Sequence, residues 1–108
     1  MKPKVVHVNS KEWLECPPEK RKYIGREVRK RGFKESIWAN PYKITKDKSR
    51  KESLSCYRKL MVCWVREVPG KFNLNTLTDM LLGCWCHPQI CHGDILVELW
   101  EKYVGGKE

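Results

Sequence analysis

Apolar residues recur at helical spacing in two long stretches of the chain. The first stretch follows Ser49-Arg50-Lys51-Glu52, a capping box in which the serine and glutamate side chains each satisfy a backbone N–H at the helix start. Gly93 and Asp94 are expected to cap the second stretch, and Gly105-Gly106 to end it. The apolar positions are Leu54, Tyr57, Leu60, Met61, Trp64 and Val65 in the first, and Ile95, Leu96, Leu99, Trp100 and Tyr103 in the second. Both stretches predict helices that pack against a core.

Shorter apolar runs predict strands. Val5-Val6-His7-Val8 is rich in β-branched residues, and Tyr23-Ile24-Gly25-Arg26 is a second candidate that ends at a glycine turn. Residues 82–86 predict a third strand, after a short helix expected within residues 74–81. Residues 36–42 are expected to be extended or looped, because the residue before a proline avoids the helical region.

The order of elements near the chain end predicts the fold class. A strand, a cysteine-containing loop and a helix follow one another, as in α/β proteins whose ligands bind outside the carboxyl end of a strand. We therefore expect an α/β fold: a small Rossmann-like sheet with flanking helices, and a Cys-His loop between a strand and the C-terminal helix. A chain of 108 residues fits one domain, residues 1–108.

Composition limits where the protein is expected to work. The sequence has no apolar run of about 18 residues, the length that a membrane-spanning helix needs. Its first residues lack the apolar stretch of roughly 7–15 residues found in secretory signals. We therefore expect it in the cytoplasm of a cell or of a virus-infected host cell. In that compartment its six cysteines would be reduced thiols or metal ligands.

The positive charge is concentrated in the first half of the chain. Residues 1–51 carry 16 Lys and Arg against 6 Asp and Glu, whereas residues 52–108 carry 6 against 7. Such asymmetry favours a polyanionic partner, either a nucleic acid or the phosphate of a nucleotide. The alternative is a solvated basic surface that promotes solubility. The oligomeric state stays open.

The most reactive residue types are gathered in residues 83–94. Cys91 precedes the predicted last helix, where unpaired N–H groups and the positive helix end favour a thiolate. His92 and His87 lie close in sequence, and either is a candidate general base. A thiolate beside a base is the arrangement of a nucleophilic cysteine. We therefore predict catalytic roles for Cys91 with His92 or His87.

The same segment allows a metal-site interpretation. Cys84, Cys86 and Cys91 with His92, or with His87 in its place, are four zinc-type ligands within nine residues. Residues two apart on a strand have Cα atoms about 7 Å apart, so Cys84 and Cys86 would share one ion only if the strand bends.

Burial is the third interpretation of these cysteines, since cysteine often acts as a small apolar residue. Cys56 and Cys63 are expected to be such core fillers. Trp64, Trp85 and Trp100 are also expected in the core.

Several short motifs occur in a characteristic order along the chain. They are Tyr23-Ile24-Gly25-Arg26, Ser36-Ile37-Trp38-Ala39-Asn40-Pro41-Tyr42, Ser49-Arg50-Lys51-Glu52 with Tyr57, Gly83-Cys84-Trp85-Cys86, and Pro88 with Cys91-His92-Gly93-Asp94-Ile95-Leu96. Together they resemble the domain of unknown function 4326 family, which occurs in phages, archaea and bacteria. The resemblance runs from about Val5 to Leu99, with Ala39 where the family usually has glycine. It implies a compact α/β domain with Cys91 and His92 as its functional site, and it transfers no activity.

Other motif residues are candidates for substrate binding. The guanidinium of Arg26 matches the geometry of a phosphate, although a surface salt bridge would explain the residue equally well. Asn40 is a candidate reader of a base edge beside Trp38 and Tyr42, unless Trp38 is a core residue and Asn40 caps a turn. Asp94 is assigned to the same substrate-binding set.

Arg50 is poorly placed in the first turn of a helix, because the positive end of the helix repels a cation. This position suggests a partner outside the helix.

These observations lead to two functional hypotheses. The first is a small α/β enzyme-like domain that binds or acts on a nucleotide or nucleic acid, with Arg26 holding phosphate and the Cys-His site at a helix N-terminus. The second is a non-catalytic nucleic-acid-binding module, in one version stabilised by zinc. The reaction and the substrate are left open.

Overall fold

Three short parallel strands form the sheet in a computed structural model that describes residues 1–42, 45–87 and 89–105. The strands in this part of the chain are β1 (Lys4–His7), β2 (Arg21–Tyr23) and β3 (Leu81–Cys84). β3 lies between the other two and pairs with both in parallel, so the spatial order is β1-β3-β2. Its helices are α1 (Lys11–Glu15), α2 (Arg50–Glu67) and α3 (His92–Tyr103). The α/β prediction is confirmed at this level.

The register brings the carboxyl ends of the strands to one edge of the sheet. His7 pairs with Cys84, and Tyr23 pairs with Gly83. Residues that follow β2 and β3 therefore emerge side by side, which positions the site described below.

The two faces of the sheet are covered by different elements. Val5 and Leu82 belong to the larger core, to which α2 and α3 contribute. Val6 points into a smaller cluster with Trp13 of α1. Strand residues alternate between the two faces of the sheet, so Val5 and Val6 pack into different cores. At Gly83 the ring of Trp13 packs directly on the backbone, because a Cβ there would lie 2.5 Å from the ring.

Helix α2 begins as its sequence predicts. The side chain of Ser49 accepts the backbone N–H of Glu52, and the helix continues to Glu67, just before Pro69. Tyr57 and Met61 are fully buried on its inner face.

Helix α3 begins two residues earlier than predicted. Cys91, rather than Gly93 or Asp94, is the N-cap, and the Asp94 carboxylate accepts the backbone N–H of Cys91 at 2.9 Å. Asp94 is thus the acidic partner of a capping box. The helix ends at Tyr103, while the predicted stop at Gly105-Gly106 lies partly outside the described residues.

Other local predictions were wrong or shifted. Residues 74–81 contain only a 3-10 turn (Leu74–Leu77), and Asp79 has a left-handed backbone with φ of 63°, which a continuing helix does not allow. The third strand starts and ends earlier than residues 82–86. The second strand likewise spans Arg21–Tyr23, rather than the predicted Tyr23-Ile24-Gly25-Arg26. Helix α1, capped by Ser10, was not predicted, because it is only five residues long.

Two residues expected in the core are at the surface. Trp85 is 37% exposed because it follows β3 at the sheet edge, and Cys63 lies on the outer face of α2. Trp38 and Trp100 are buried, as predicted. No helix in the described part of the chain is long and apolar enough to cross a membrane.

Candidate functional site

A cavity of about 400 Å³ lies at the carboxyl edge of the sheet. Its walls come from the segments after β2 and β3, the first turns of α2 and α3, and the loop that contains Asn40. Five of the site residues proposed from sequence line it: Arg26, Asn40, Cys86, Cys91 and His92. His87, Asp94 and Cys84 are not among the described residues that line the cavity. The structure therefore brings together residues that are up to 66 positions apart in the chain.

Arg26 is held in place by a backbone carbonyl. Its Nε and Nη2 atoms donate to the carbonyl oxygen of Asn40 at 3.0 and 2.7 Å. A guanidinium has five N–H donors, so this contact orients the group while leaving donors for a ligand. The arrangement differs from the surface salt bridge that the sequence also allowed.

The side chain of Asn40 is engaged inside the protein. Its Oδ1 accepts the N–H of Tyr42 at 2.9 Å, and its Nδ2 donates to Ser53 Oγ at 2.9 Å. The Ser53 hydroxyl donates in turn to the carbonyl of Tyr42 at 2.5 Å. Both polar atoms of the Asn40 side chain are thus hydrogen-bonded inside the protein, while its backbone carbonyl orients Arg26.

Helix α2 supports this loop at a second point. The Tyr57 hydroxyl donates to the carbonyl of Trp38 at 2.6 Å, and both side chains are buried. Ser53 and Tyr57 lie one helical turn apart, so a single face of α2 holds the whole segment from Trp38 to Tyr42.

The sulfurs of Cys84 and Cys91 are in contact. Their Sγ atoms are 3.3 Å apart, and each residue is 1% exposed. Cys91 Sγ also accepts the N–H of Gly93 at 3.3 Å, as the N-cap of α3. The contact thus joins Cys84, the last residue of β3, with Cys91, the N-cap of α3.

This contact determines where negative charge resides. The hydrogen bond from Cys91, helped by the backbone N–H groups of His87 and Cys86, lowers the pKa of Cys84 to about 6. The same hydrogen bond and burial raise the pKa of Cys91. The two pKa shifts have opposite directions because ionisation of one sulfur strengthens the hydrogen bond that it accepts from the other, so the pair favours a singly ionised state.

His92 is a buried neutral base. Its Nε2 lies 2.6 Å from the carbonyl oxygen of Ile24, and because a carbonyl only accepts, Nε2 carries the hydrogen. Burial lowers the pKa of His92, and its ring packs edge-on against Tyr57. His92 lines the cavity and its Nε2 is bonded to Ile24, so Nδ1 is the ring atom left to accept a hydrogen bond from a ligand. His87 contributes a backbone N–H to Cys84 instead.

The zinc-site interpretation of Cys84, Cys86, Cys91 and His92 stays a prediction. Within the described ranges, no group of three or more His, Cys, Asp or Glu side chains is gathered closely enough to hold a metal ion.

The cavity wall is positively charged. Arg50 lines it, and its guanidinium donates to the carbonyl of Ile90 at 3.2 Å and to Gln89 Oε1 at 2.9 Å. These bonds tie the start of α2 to the segment that leads into Cys91. Of the described lining residues two are arginines and none is acidic. The outside partner suggested for Arg50 is thus at least partly this segment.

Aromatic side chains form a wall that sequence reasoning missed. Trp85 Nε1 donates to the Tyr23 hydroxyl at 3.0 Å, and both residues line the cavity. Phe33 stacks on Tyr23, and Arg31 lies over the ring of Trp85 at 5.2 Å. The sequence predicts Trp85 in the core. Because the predicted strand of residues 82–86 includes Trp85, no local signal showed that this residue follows the strand end.

The comparison with protein families covers most of the chain. The family described as Domain of unknown function (DUF4326) matches residues 6–102. The chain belongs to this family. The matched range contains every candidate site residue, and the resemblance read from the motifs is confirmed. Neither the curated proteins nor the solved structures yielded a match.

Proposed function

We propose that the cavity binds a nucleotide, either free or as one unit of a nucleic acid, with its phosphate on Arg26 and Arg50. The observation that carries this proposal is the cavity wall itself: two arginines, one of them pre-oriented by Asn40, and no acidic residue among the described lining. A guanidinium pairs with phosphate oxygens through parallel N–H bonds. Orientation before binding reduces the entropy that the complex has to lose.

The remaining walls suit the other parts of a nucleotide. Tyr23, Tyr42 and Trp85 offer aromatic surface against which a base can stack. The volume of about 400 Å³ falls in the range of small-ligand pockets. Its location at the carboxyl edge of parallel strands is the usual one for ligands of open α/β sheets. This location supports our interpretation of the fold as Rossmann-like, with the Cys-His site between β3 and α3.

Two groups in the cavity can take part in proton transfer. His92 Nδ1 is a neutral acceptor, and the thiol of Cys91 lies beside it at the start of α3. In our proposal His92 accepts a proton from, or a hydrogen bond of, the bound ligand. Cys91 lines the same cavity. We place this activity in the cytoplasm, where nucleotides and nucleic acids are available.

A non-catalytic nucleic-acid-binding module is the second candidate. It is favoured by the surface beside the cavity, where Arg31 lies over the exposed ring of Trp85. Stacked aromatic and cationic groups bind single strands without sequence preference. Turnover of the bound ligand would separate the two candidates, because only the first predicts it.

The first prediction tests the phosphate site by calorimetric titration with a panel of nucleoside monophosphates and the matching nucleosides. We expect binding of the monophosphates and much weaker binding of the nucleosides. Arg26→Ala should raise the Kd about 10- to 100-fold, because a hydrogen bond to a charged group contributes about 1.5–3 kcal/mol. Arg66→Ala is the matched control, since Arg66 is exposed and is not among the described lining residues.

The outcome is interpretable even if Arg26→Ala is unstable. Arg26→Lys keeps the charge but lacks the fork, so it should bind with intermediate affinity. If the wild-type protein binds no monophosphate of the panel and no short oligonucleotide, the proposed function is wrong.

A further inference from the structure

Cys84 and Cys91 form a close pair of thiols. Their sulfurs are 3.3 Å apart, whereas a disulfide bond is about 2.05 Å long. Side-chain rotation at the end of β3 and at the N-cap of α3 has to close the difference of little more than an ångström. A pair placed in this way resembles a reduced disulfide more than two apolar fillers.

The surroundings of the pair also favour reactivity. Cys91 is among the residues that line the cavity, whereas Cys84, in contact with its sulfur, is not. Backbone N–H groups of Cys86 and His87 stabilise the Cys84 thiolate, and Gly93 N–H contacts Cys91 Sγ. Thiolates supported in this way are the reactive form in thiol–disulfide exchange.

The other cysteines are engaged differently. Cys16 Sγ is 3.6 Å from the carbonyl of Pro17, and Cys56 Sγ is 3.6 Å from Lys48 Nζ. Cys63 is exposed on α2. None of these contacts is with a second sulfur, so none favours a disulfide bond.

We propose that Cys84 and Cys91 are a redox-active dithiol that reduces a low-molecular-weight disulfide admitted by the cavity. The inference rests on the thiol geometry and does not require that a nucleotide binds.

The reaction balances in two exchange steps. In the first, Cys91 Sγ attacks one sulfur of the small disulfide while its proton passes to the Cys84 thiolate. The S–S bond of the disulfide breaks, and one thiolate leaves. In the second, Cys84 Sγ loses that proton to the departing thiolate, attacks Cys91 Sγ and breaks the mixed S–S bond, which releases the second thiolate. Starting from one thiol and one thiolate, the protein loses two electrons and one proton, and the small disulfide becomes one thiol and one thiolate, which takes its proton from water.

The experiment follows the intact protein in mixtures of oxidised and reduced dithiothreitol or glutathione. We expect a reversible loss of two hydrogen atoms in mass, with one midpoint. Trypsin leaves Cys84, Cys86 and Cys91 in one peptide, because no Lys or Arg lies between Lys71 and Lys102. Cleavage by chymotrypsin after Trp85 separates Cys84 from the other two, so the expected disulfide joins two peptides.

Matched variants identify the partner. Cys86→Ser should still form the linked peptides, whereas Cys84→Ser and Cys91→Ser should each abolish them. Persistence of the link in Cys84→Ser or Cys91→Ser would overturn the assignment, as would its loss in Cys86→Ser. The mapping on the wild-type protein stands even if a buried serine prevents folding. If the wild type stays a free dithiol in oxidised dithiothreitol and in oxidised glutathione, the proposal is wrong.

Discussion

Single residues in the cavity act mainly by holding one another. Asn40 is the clearest case, because its side chain fixes its own loop and its carbonyl orients Arg26. Ser53 and Tyr57 reach the same loop from α2. Motif residues that look like ligand contacts in a sequence can therefore be positioning residues, and the distinction depends on which atoms are already bonded.

The protonation of His92 leads to a prediction at this scale. Burial lowers the pKa of His92 below its ordinary value, so the unfolded chain binds a proton that the folded chain does not. Stability should therefore decrease as the pH falls through about 6.5, the ordinary histidine pKa. His92→Gln, which can still donate to Ile24, should flatten this decrease. The measurement is the free energy of urea unfolding between mildly acidic and neutral pH, with His87→Gln as the matched control. An unchanged slope in His92→Gln would contradict the assignment.

At the scale of elements, two glycines set how closely helices α1 and α3 pack against the sheet. Gly83 lies in the central strand against the ring of Trp13, and Gly93 in the first turn of α3 lies against Ile24 and Val5. A side chain at either position would push a helix away from the sheet.

Gly83→Ala should therefore destabilise the protein by about 1–3 kcal/mol, the usual cost of overpacking a core. The new methyl group would sit 2.5 Å from the Trp13 ring, so α1 or the ring has to move. Gly70→Ala is the control, because nothing lies within 4 Å of a Cβ built there. Denaturant midpoints measure both effects. Equal midpoints for the two variants would show that α1 is not packed in this way.

Sequence patterns predicted the elements better than their arrangement. The two long helices and β1 were predicted because their signals, a capping box and apolar periodicity, are local. The order β1-β3-β2 was not, since the pairing of Val5 with Leu82 leaves no local trace. Of the residues that line the cavity, Arg26 and Cys91 were proposed together from the sequence, whereas the aromatic wall of Tyr23 and Trp85 was not. The contact of Cys91 with Cys84 depends on the path of residues 85–90, which no periodicity describes.

At the scale of the whole molecule, the positive charge continues beyond the first cavity. A second cavity of about 570 Å³ shares Arg50 with it and is also lined by Lys51 and Arg58. Arg50 and Lys51, which belong to the basic first half of the chain, thus lie in the first turn of α2 beside the proposed site. Arg58 forms an ion pair with Glu98, which leaves Lys51 as the simplest phosphate contact to test.

Affinity for a short single-stranded oligonucleotide should decrease steeply with salt, because each neutralised phosphate releases counterions. Lys51→Ala should reduce the slope of log K against log salt by about one. Lys59→Ala, a matched exposed lysine on α2 that is not among the described lining of either cavity, should leave the slope unchanged. Fluorescence anisotropy over a series of salt concentrations provides both slopes. Equal slopes in the two variants would exclude the second cavity from nucleic-acid binding.

The central position of β3 has a consequence for how the protein folds. β1 and β2 both pair with β3, and Lys4 finds its partner only at Leu81. During synthesis, β1 and β2 are therefore made well before β3, the strand with which both of them pair. Closing so long a loop is slow, since its entropy is lost before any strand contact compensates. We therefore expect the sheet, the cysteine pair and the cavity to form together, late in folding.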